Sequence, residues 1–336
     1  MPYEYSPPFT ISDRAIGKIS DISEKLGLLD AARSSPDPRL RRANRIRSIR
    51  SSLAIANNSL TLEQAASAID GKHVLGPPQD ILEAKNAFAA YGGIGAYDPY
   101  AAEDLLDAHL KMTGGVVSDA GRFRPSRVGV FRGKKVVYIA PPAGMVPKLT
   151  CDLLSWARRS EAHPLIKSCV FHYEFEFIHP FSDGNGRMGR LWHTLLLSRW
   201  KPLFEWIPTE SMLEKHQKEY YDAISGSTEN TDSGIFIDFM LGIINDALDE
   251  FMTDQETDQE TDHGNIRARR VADCLSGGSL PASEIMAMLG LSHRQTFRDN
   301  YLRPAMELGL VEMTHPENPK NRNQRYRLGS VIRPTQ

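Results

Sequence analysis

His179-Pro180-Phe181-Ser182-Asp183-Gly184-Asn185-Gly186-Arg187-Met188-Gly189-Arg190 is the stretch on which the reading of this 336-residue chain turns. An amphipathic helical run carrying Val170, Phe171, Tyr173, Glu174 and Phe177 leads into it, and a second run from Leu191 to Trp200 leaves it. Gly184-Asn185-Gly186 therefore falls where a loop enters a helix. Glycine permits positive φ and asparagine tolerates it, so successive backbone N–H groups there can turn inward as an anion-binding nest. The helix N-terminus adds partial positive charge, and the combination suits a phosphate. Arg187 and Arg190 are three apart, on one face of the first turn, and both can reach phosphate oxygens as forks. Asp183 stands at the mouth, and one carboxylate plus phosphate oxygens is a usual way to hold Mg²⁺. His179 is the group in the segment that titrates near neutrality, which makes it the natural general base. Together these residues describe attack by a hydroxyl on phosphorus.

Each piece has an ordinary reading by itself: a His-Pro turn, a Gly-Asn-Gly helix start or hairpin, two solvated arginines. Their conjunction at fixed spacing does not. The segment resembles the signature of the Fic (filamentation-induced-by-cAMP) family, His-Pro-Phe-x-Asp-Gly-Asn-Gly-Arg-x-x-Arg, with all nine fixed positions matched. The resemblance extends over roughly residues 50–250. It implies a mainly α fold, a Fic-type helical core with a β-hairpin flap, here followed by a C-terminal winged helix-turn-helix domain. It also implies ATP as substrate with Mg²⁺, and AMP transfer to Tyr, Ser or Thr hydroxyls of a protein target, self-modification included; a homodimer is compatible with it. Carried across, His179 is the base and Asp183 the metal ligand. Gly184, Asn185, Gly186 and Arg187 bind phosphates, and Arg190 takes the γ-phosphate. The hairpin at 128–139, with Val137 and Tyr138, docks the target's main chain as an added strand. Tyr221 resembles a tyrosine lining the family's adenine pocket, its plain alternative being core packing, and Thr228 stands where some relatives carry asparagine.

Many members carry an inhibitory helix with the pattern Ser/Thr-x-x-x-Glu-Gly/Asn. Here Ser52-Leu53-Ala54-Ile55-Ala56-Asn57, within a helix at about 44–57, fits everywhere except that Ala56 holds the glutamate's place. That glutamate pairs with the arginine matched here by Arg190. Its replacement, natural or introduced, implies an unblocked enzyme in which Arg190 is free.

Outward from this core the chain reads as four parts: a helical region at 1–100, a catalytic core at 101–250, an acidic stretch at 251–264 and a basic unit at 265–336. Ser12 or Asp13 caps a first helix running to about Leu28, a second begins near Arg39 and carries six arginines by Arg50, and Thr61 with Gln64 forms a capping box. Residues 80–112 are helical, Val128–Val130 and Val136–Ile139 form a hairpin, and two long helices follow at about 148–178 and 186–200. The repeat from Thr253 to Asp262 holds five acids in ten residues, a solvated linker or helix end. The last unit reads as helices at 267–276, 283–289 and 293–308 with a tight turn at Leu291-Ser292, then strands at Val311–Met313 and Gln324–Leu328 around a polar wing at 316–323. Between 265 and 330 ten Lys/Arg face six Asp/Glu. That pattern offers a different class of function, a DNA-binding regulator with the Fic core as nucleotide sensor, in which Arg294, Arg298 and Arg303 flank a recognition helix.

Composition narrows the rest. With 41% hydrophobic and 24% charged residues and a formal net charge of −2, no overall basic field points to nucleic acid or anionic lipid. Cys151, Cys169 and Cys274 form no CxxC pair, which fits a reducing cytoplasm better than a disulfide framework. The N-terminus lacks the basic start and apolar stretch of a signal peptide, and no run approaches the ~20 apolar residues that cross a bilayer.

Overall fold

Helix starts and stops follow local chemistry through most of the chain. The computed structural model describes residues 5–31, 38–132, 135–291, 293–318, 321 and 323–329. Ser12 accepts the Ala15 N–H at 3.0 Å and so caps α1 (Asp13–Ala31). Then come α2 (Pro38–Ile55), α3 (Leu62–Ile69), α4 (Pro78–Gly92) and α5 (Ala102–Thr113). The Thr61/Gln64 capping box of α3 is present in both directions. A hairpin of β1 (Gly129–Arg132) and β2 (Lys135–Ile139) pairs antiparallel with Gly129 opposite Ile139. The expected turn residues Gly133 and Lys134 lie outside the described residues, as do the side chain of Val137 and Ser292 of the second unit.

The run read as one helix at 148–178 is two, α6 (Val146–Arg159) and α7 (Pro164–Ile178). Proline has no N–H to give and pushes the residue before it out of the helical region, so the break falls at Ser160–His163 and Pro164 opens the next helix. Then follow α8 (Asn185–Trp200), α9 (Thr209–Lys215), α10 (Gln217–Asn230) and α11 (Gly234–Cys274). The acidic repeat lies inside α11, so its backbone is helical and not an extended linker.

Two units divide the chain, Met1–Phe251 and Met252–Gln336. In the first, α7 and α8 form the central pair. Leu165, Cys169, Phe171 and Phe175 of α7 and Leu191, Trp192 and Leu195 of α8 are completely buried. A helix apolar on nearly every side belongs in a core. Around them, α2 packs on α3, α4 and α9 through Ile46, Ile49, Leu53 and Ile55. Its arginines are absorbed there: Arg42 pairs with Asp70, Arg45 with Glu205 below Trp206, and Arg50 with Glu214.

The second unit has its own core of Val271, Leu275, Ile285, Phe297, Leu302, Val311 and Tyr326. After α12 (Ala282–Met288), the helix expected at 293–308 is α13 (Arg294–Phe297), a π turn (Arg298–Leu302) and α14 (Arg303–Glu307). Pro304 cannot donate to the carbonyl one turn earlier, which accounts for the interrupted ladder. The two strands are β3 (Val311–Met313) and β4 (Tyr326–Leu328), the second shorter than its expected 324–328. Leu280 bridges Tyr326 through reciprocal backbone bonds of 3.0 and 2.8 Å. No helix among the described residues is long and apolar enough to cross a membrane.

Candidate active site

The α7–α8 connection is folded as the sequence demands at two points. His179 ends α7 in the left-handed region, φ 52°, and Gly184 precedes α8 with φ 84°. A Cβ at Gly184 would lie 2.8 Å from Thr113 Cγ2, so backbone freedom and space both require glycine. Asn185 does not take positive φ: it is the first residue of α8, and its buried side chain braces the loop, accepting Phe181 N–H and donating to Phe181 O, both at 2.8 Å. The inward-turned nest reduces to the Gly184 turn and the first-turn N–H groups of α8, which have no partner inside the helix.

His179 Nδ1 lies 3.3 Å from the Glu176 carbonyl. A carbonyl only accepts, so Nδ1 carries the proton and Nε2 keeps its lone pair. Burial, the largest effect, holds the His179 pKa below its ordinary value. The ring is therefore neutral at pH 7, as a base must be.

Asp183 Oδ1 accepts the Gly184 N–H at 2.7 Å, and Oδ2 accepts from Arg187 Nη2 at 3.1 Å. Arg187 is buried, its Nη1 3.3 Å from Glu83 Oε1, while its Nε and Nη1 make no hydrogen bond. Arg190 is also buried. Its Nε donates to Ser52 Oγ at 2.9 Å and its Nη2 to the Ser52 carbonyl at 2.8 Å. The expectation of a free Arg190 is corrected by this: with alanine at 56, the same helix still grips the guanidinium through Ser52. The third nitrogen, Nη1, would lie 3.1 Å from a Cβ at Gly186, so glycine there lets the fork lie against the start of α8.

One cavity of about 520 Å³ collects these groups. His179, Asp183–Arg187, Arg190, Tyr138, Tyr221, Ala56 and Asn57 all line it, so the structure brings together nearly every residue singled out in the sequence. Ser52 stands behind Arg190 and outside the lining. Tyr221 is 42% exposed, which removes the core-packing alternative; its neighbour Tyr220 fills that role and meets His172 Nε2 at 3.0 Å. Thr228 lines the same cavity, its hydroxyl donating to Ile224 O and meeting Tyr173 Oη.

Three supporting residues have no signal in the motif. His109 stacks on Phe181 with ring centroids 3.7 Å apart. Gly121 N–H donates to its Nδ1 at 2.9 Å, so Nε2 carries the proton and donates to the Asp183 carbonyl at 3.0 Å. Arg124, 2% exposed, donates to the carbonyls of His179 at 2.6 Å, Ser126 at 2.7 Å and Pro141 at 2.5 Å. Glu176 lines the cavity wall, and burial raises its carboxyl to about 7 against the opposing pull of Arg190. A histidine among the apolar positions Leu105, Ala108 and Met112 of α5 was a visible clue to His109; nothing local marks Arg124.

Across its whole length the chain is 46% identical to a Fic family protein from Desulfovibrio desulfuricans G20, whose crystal structure superposes with a TM-score of 0.77, covering 99% of this chain and 100% of that one. The chain belongs to the Fic family. The Fic/DOC family profile matches residues 99–197, and the Fic-like C-terminal domain profile, from filamentation induced by cAMP protein Fic-like, matches 267–329. A protein adenylyltransferase Fic of Aedes aegypti is 29% identical over 218 residues, 62% of this chain and 42% of that protein. This Fic protein thus spans less than half the length of that curated relative. Fic-1 of Caenorhabditis elegans, residues 134–508, shares the fold at 18% identity with a TM-score of 0.57, covering 73% of this chain and 74% of that one.

Proposed function

We propose that this Fic protein is a nucleotidyltransferase that moves AMP from ATP onto a hydroxyl group of a protein side chain. The observation that carries the reading is one cavity holding a neutral, correctly oriented His179 beside a helix N-terminus flanked by two buried arginines. The relatives named adenylyltransferase support the same reaction.

The acceptor hydroxyl gives its proton to His179 Nε2 as its oxygen attacks the α-phosphorus. The bond from that phosphorus to the oxygen shared with the β-phosphate breaks, and pyrophosphate leaves with its negative charge facing the α8 N-terminus, Arg187 and Arg190. Ile55, Phe177, Ile224 and Tyr221 form the apolar side of the cavity, suited to a purine. Among the described residues no group of three or more His, Cys, Asp or Glu could hold a metal ion alone. Asp183, exposed at the mouth and a hard oxygen donor, would hold a Mg²⁺ ion, which would supply charge neutralisation to the phosphates. The target protein docks along β2, whose Tyr138 ring lies 4.8 Å from that of Phe177 in a tilted pair. The three free thiols suit a reducing compartment, the cytoplasm.

His179→Ala tests the chemistry. Incorporation of label from α-labelled ATP falls by about 10²–10⁴-fold, the usual size of general-base removal, while MgATP affinity stays within about threefold. An undiminished rate excludes His179 as the base.

A second reading rests on the second unit, where Arg294 and Arg298 are exposed. In it the unit is a winged helix that holds DNA. Retention of duplex DNA by the full chain that weakens steeply with salt supports it; no retention at low salt excludes it.

A further inference from the structure

Arg187 sits between two carboxylates of very different exposure. Its Nη1 lies 3.3 Å from Glu83 Oε1, and its Nη2 lies 3.1 Å from Asp183 Oδ2. The side chains of Arg187 and Glu83 are 4% and 10% exposed, that of Asp183 61%. Glu83 comes from α4, outside the matched stretch 99–197, and it is held from behind. Asn58 Nδ2 donates to Glu83 Oε2 at 2.9 Å and to the Asp80 carbonyl at 3.2 Å. Asn58 Oδ1 accepts the Leu60 N–H at 3.2 Å, which fixes the amide's orientation. The left-handed turn at Asn57, φ 68°, delivers Asn58 to this place directly after α2.

We infer that Glu83, clamped by Asn58, is a positioning residue: the resident counter-ion of Arg187 that lets Asp183 leave the arginine for a divalent cation. The inference rests on the proposed use of Asp183 and Arg187 with MgATP. A buried guanidinium stripped of its last carboxylate is strongly disfavoured. Were Asp183 the sole partner, transferring its carboxylate to a cation would leave Arg187 dependent on the nucleotide phosphates alone, so the pair would hold together more firmly and compete with the metal. With Glu83 in place, Arg187 stays neutralised whichever partner Asp183 has. The end of α2 is thereby tied to the phosphate loop through Asn58, Glu83 and Arg187.

The test is Glu83→Gln in the full chain, which keeps the shape and removes the charge. Calorimetry with ATP at fixed concentration and varied Mg²⁺ gives the Mg²⁺ midpoint for nucleotide binding. That midpoint rises roughly tenfold, the order expected for loss of a charge-assisted contact, while the transfer rate at saturating Mg²⁺ stays within about threefold. Asn58→Ala, which loosens Glu83 and keeps its charge, shifts the midpoint the same way by less and serves if the first variant folds poorly. An unchanged midpoint in folded variants, or a lower transfer rate with an unchanged midpoint, overturns the inference. A wild-type chain that binds MgATP but transfers no AMP removes the functional reading and leaves the Glu83 inference standing on its binding shift. A wild type that binds no MgATP overturns both.

Discussion

Ala56→Glu tests whether the end of α2 is a brake. Residue 56 directly follows α2, and Ser52 in the last turn of that helix already takes two nitrogens of Arg190. A glutamate at 56 would point into the cavity that Ala56 and Arg190 both line. The nitrogen it would take is Nη1, the one Ser52 leaves. A hydrogen bond to a charged group contributes about 1.5–3 kcal/mol, and each 1.4 kcal/mol is a factor of ten, so ATP would have to overcome a roughly 10- to 150-fold handicap. Initial rates of label transfer from α-labelled ATP, at several ATP concentrations, read this as a raised KM for MgATP and a lower rate below saturation. Thermal unfolding stays close to wild type, because residue 56 is exposed. The double variant with Arg190→Ala shows no further inhibition from the glutamate. Unchanged transfer by a folded Ala56→Glu protein refutes the argument, and residues 52–57 are then packing alone.

Glu174 gives a pH prediction. Burial lifts its carboxyl from an ordinary 4.5 to about 7, against the Tyr5 hydroxyl that donates to it at 2.8 Å. A raised folded pKa means that the folded state holds a proton the unfolded chain releases; stability is full below about 4.5 and is lost as pH rises through 7. Glu174→Gln removes that loss, so urea unfolding shows the variant gaining on wild type by about 2–3 kcal/mol between pH 4.5 and 8; a pH-independent difference would count against it. Gly184→Ala forces an L side chain to φ 84° and against Thr113, and the protein loses about 1–2 kcal/mol in stability together with most of its transfer activity, read by denaturation and label incorporation.

The site was largely legible because it is contiguous. From His179 to Arg190, spacing alone puts a base, a carboxylate, a helix start and two arginines within one turn and one loop, and the cavity gathers them. The fold was legible where punctuation is local, as with Ser12, the Thr61/Gln64 box and the hairpin. It failed where the decisive term was a missing N–H in an otherwise helical pattern, at Pro164. The acidic repeat left a linker and a helix end both open, because its charges mark solvent contact without fixing the backbone, and the backbone lies within α11. Glu83, His109 and Arg124 escaped because each acts across 55 to 104 residues of chain, on Arg187, Asp183 and His179, and no periodicity encodes a partner at that distance.

Arg124 gives the hairpin a fixed datum. One buried guanidinium bonds the carbonyls of Ser126 and Pro141, which flank the β1–β2 hairpin on either side, and the carbonyl of His179 itself. The backbone N–H of Arg124 adds a bond to Pro180 O at 2.9 Å. Neither the root of the hairpin nor the histidine can drift without the other, since a shift of either orphans a buried charge. The backbone of β2 is thereby held in register with the loop that carries His179. One side chain thus ties the placing of the hairpin to the placing of the histidine.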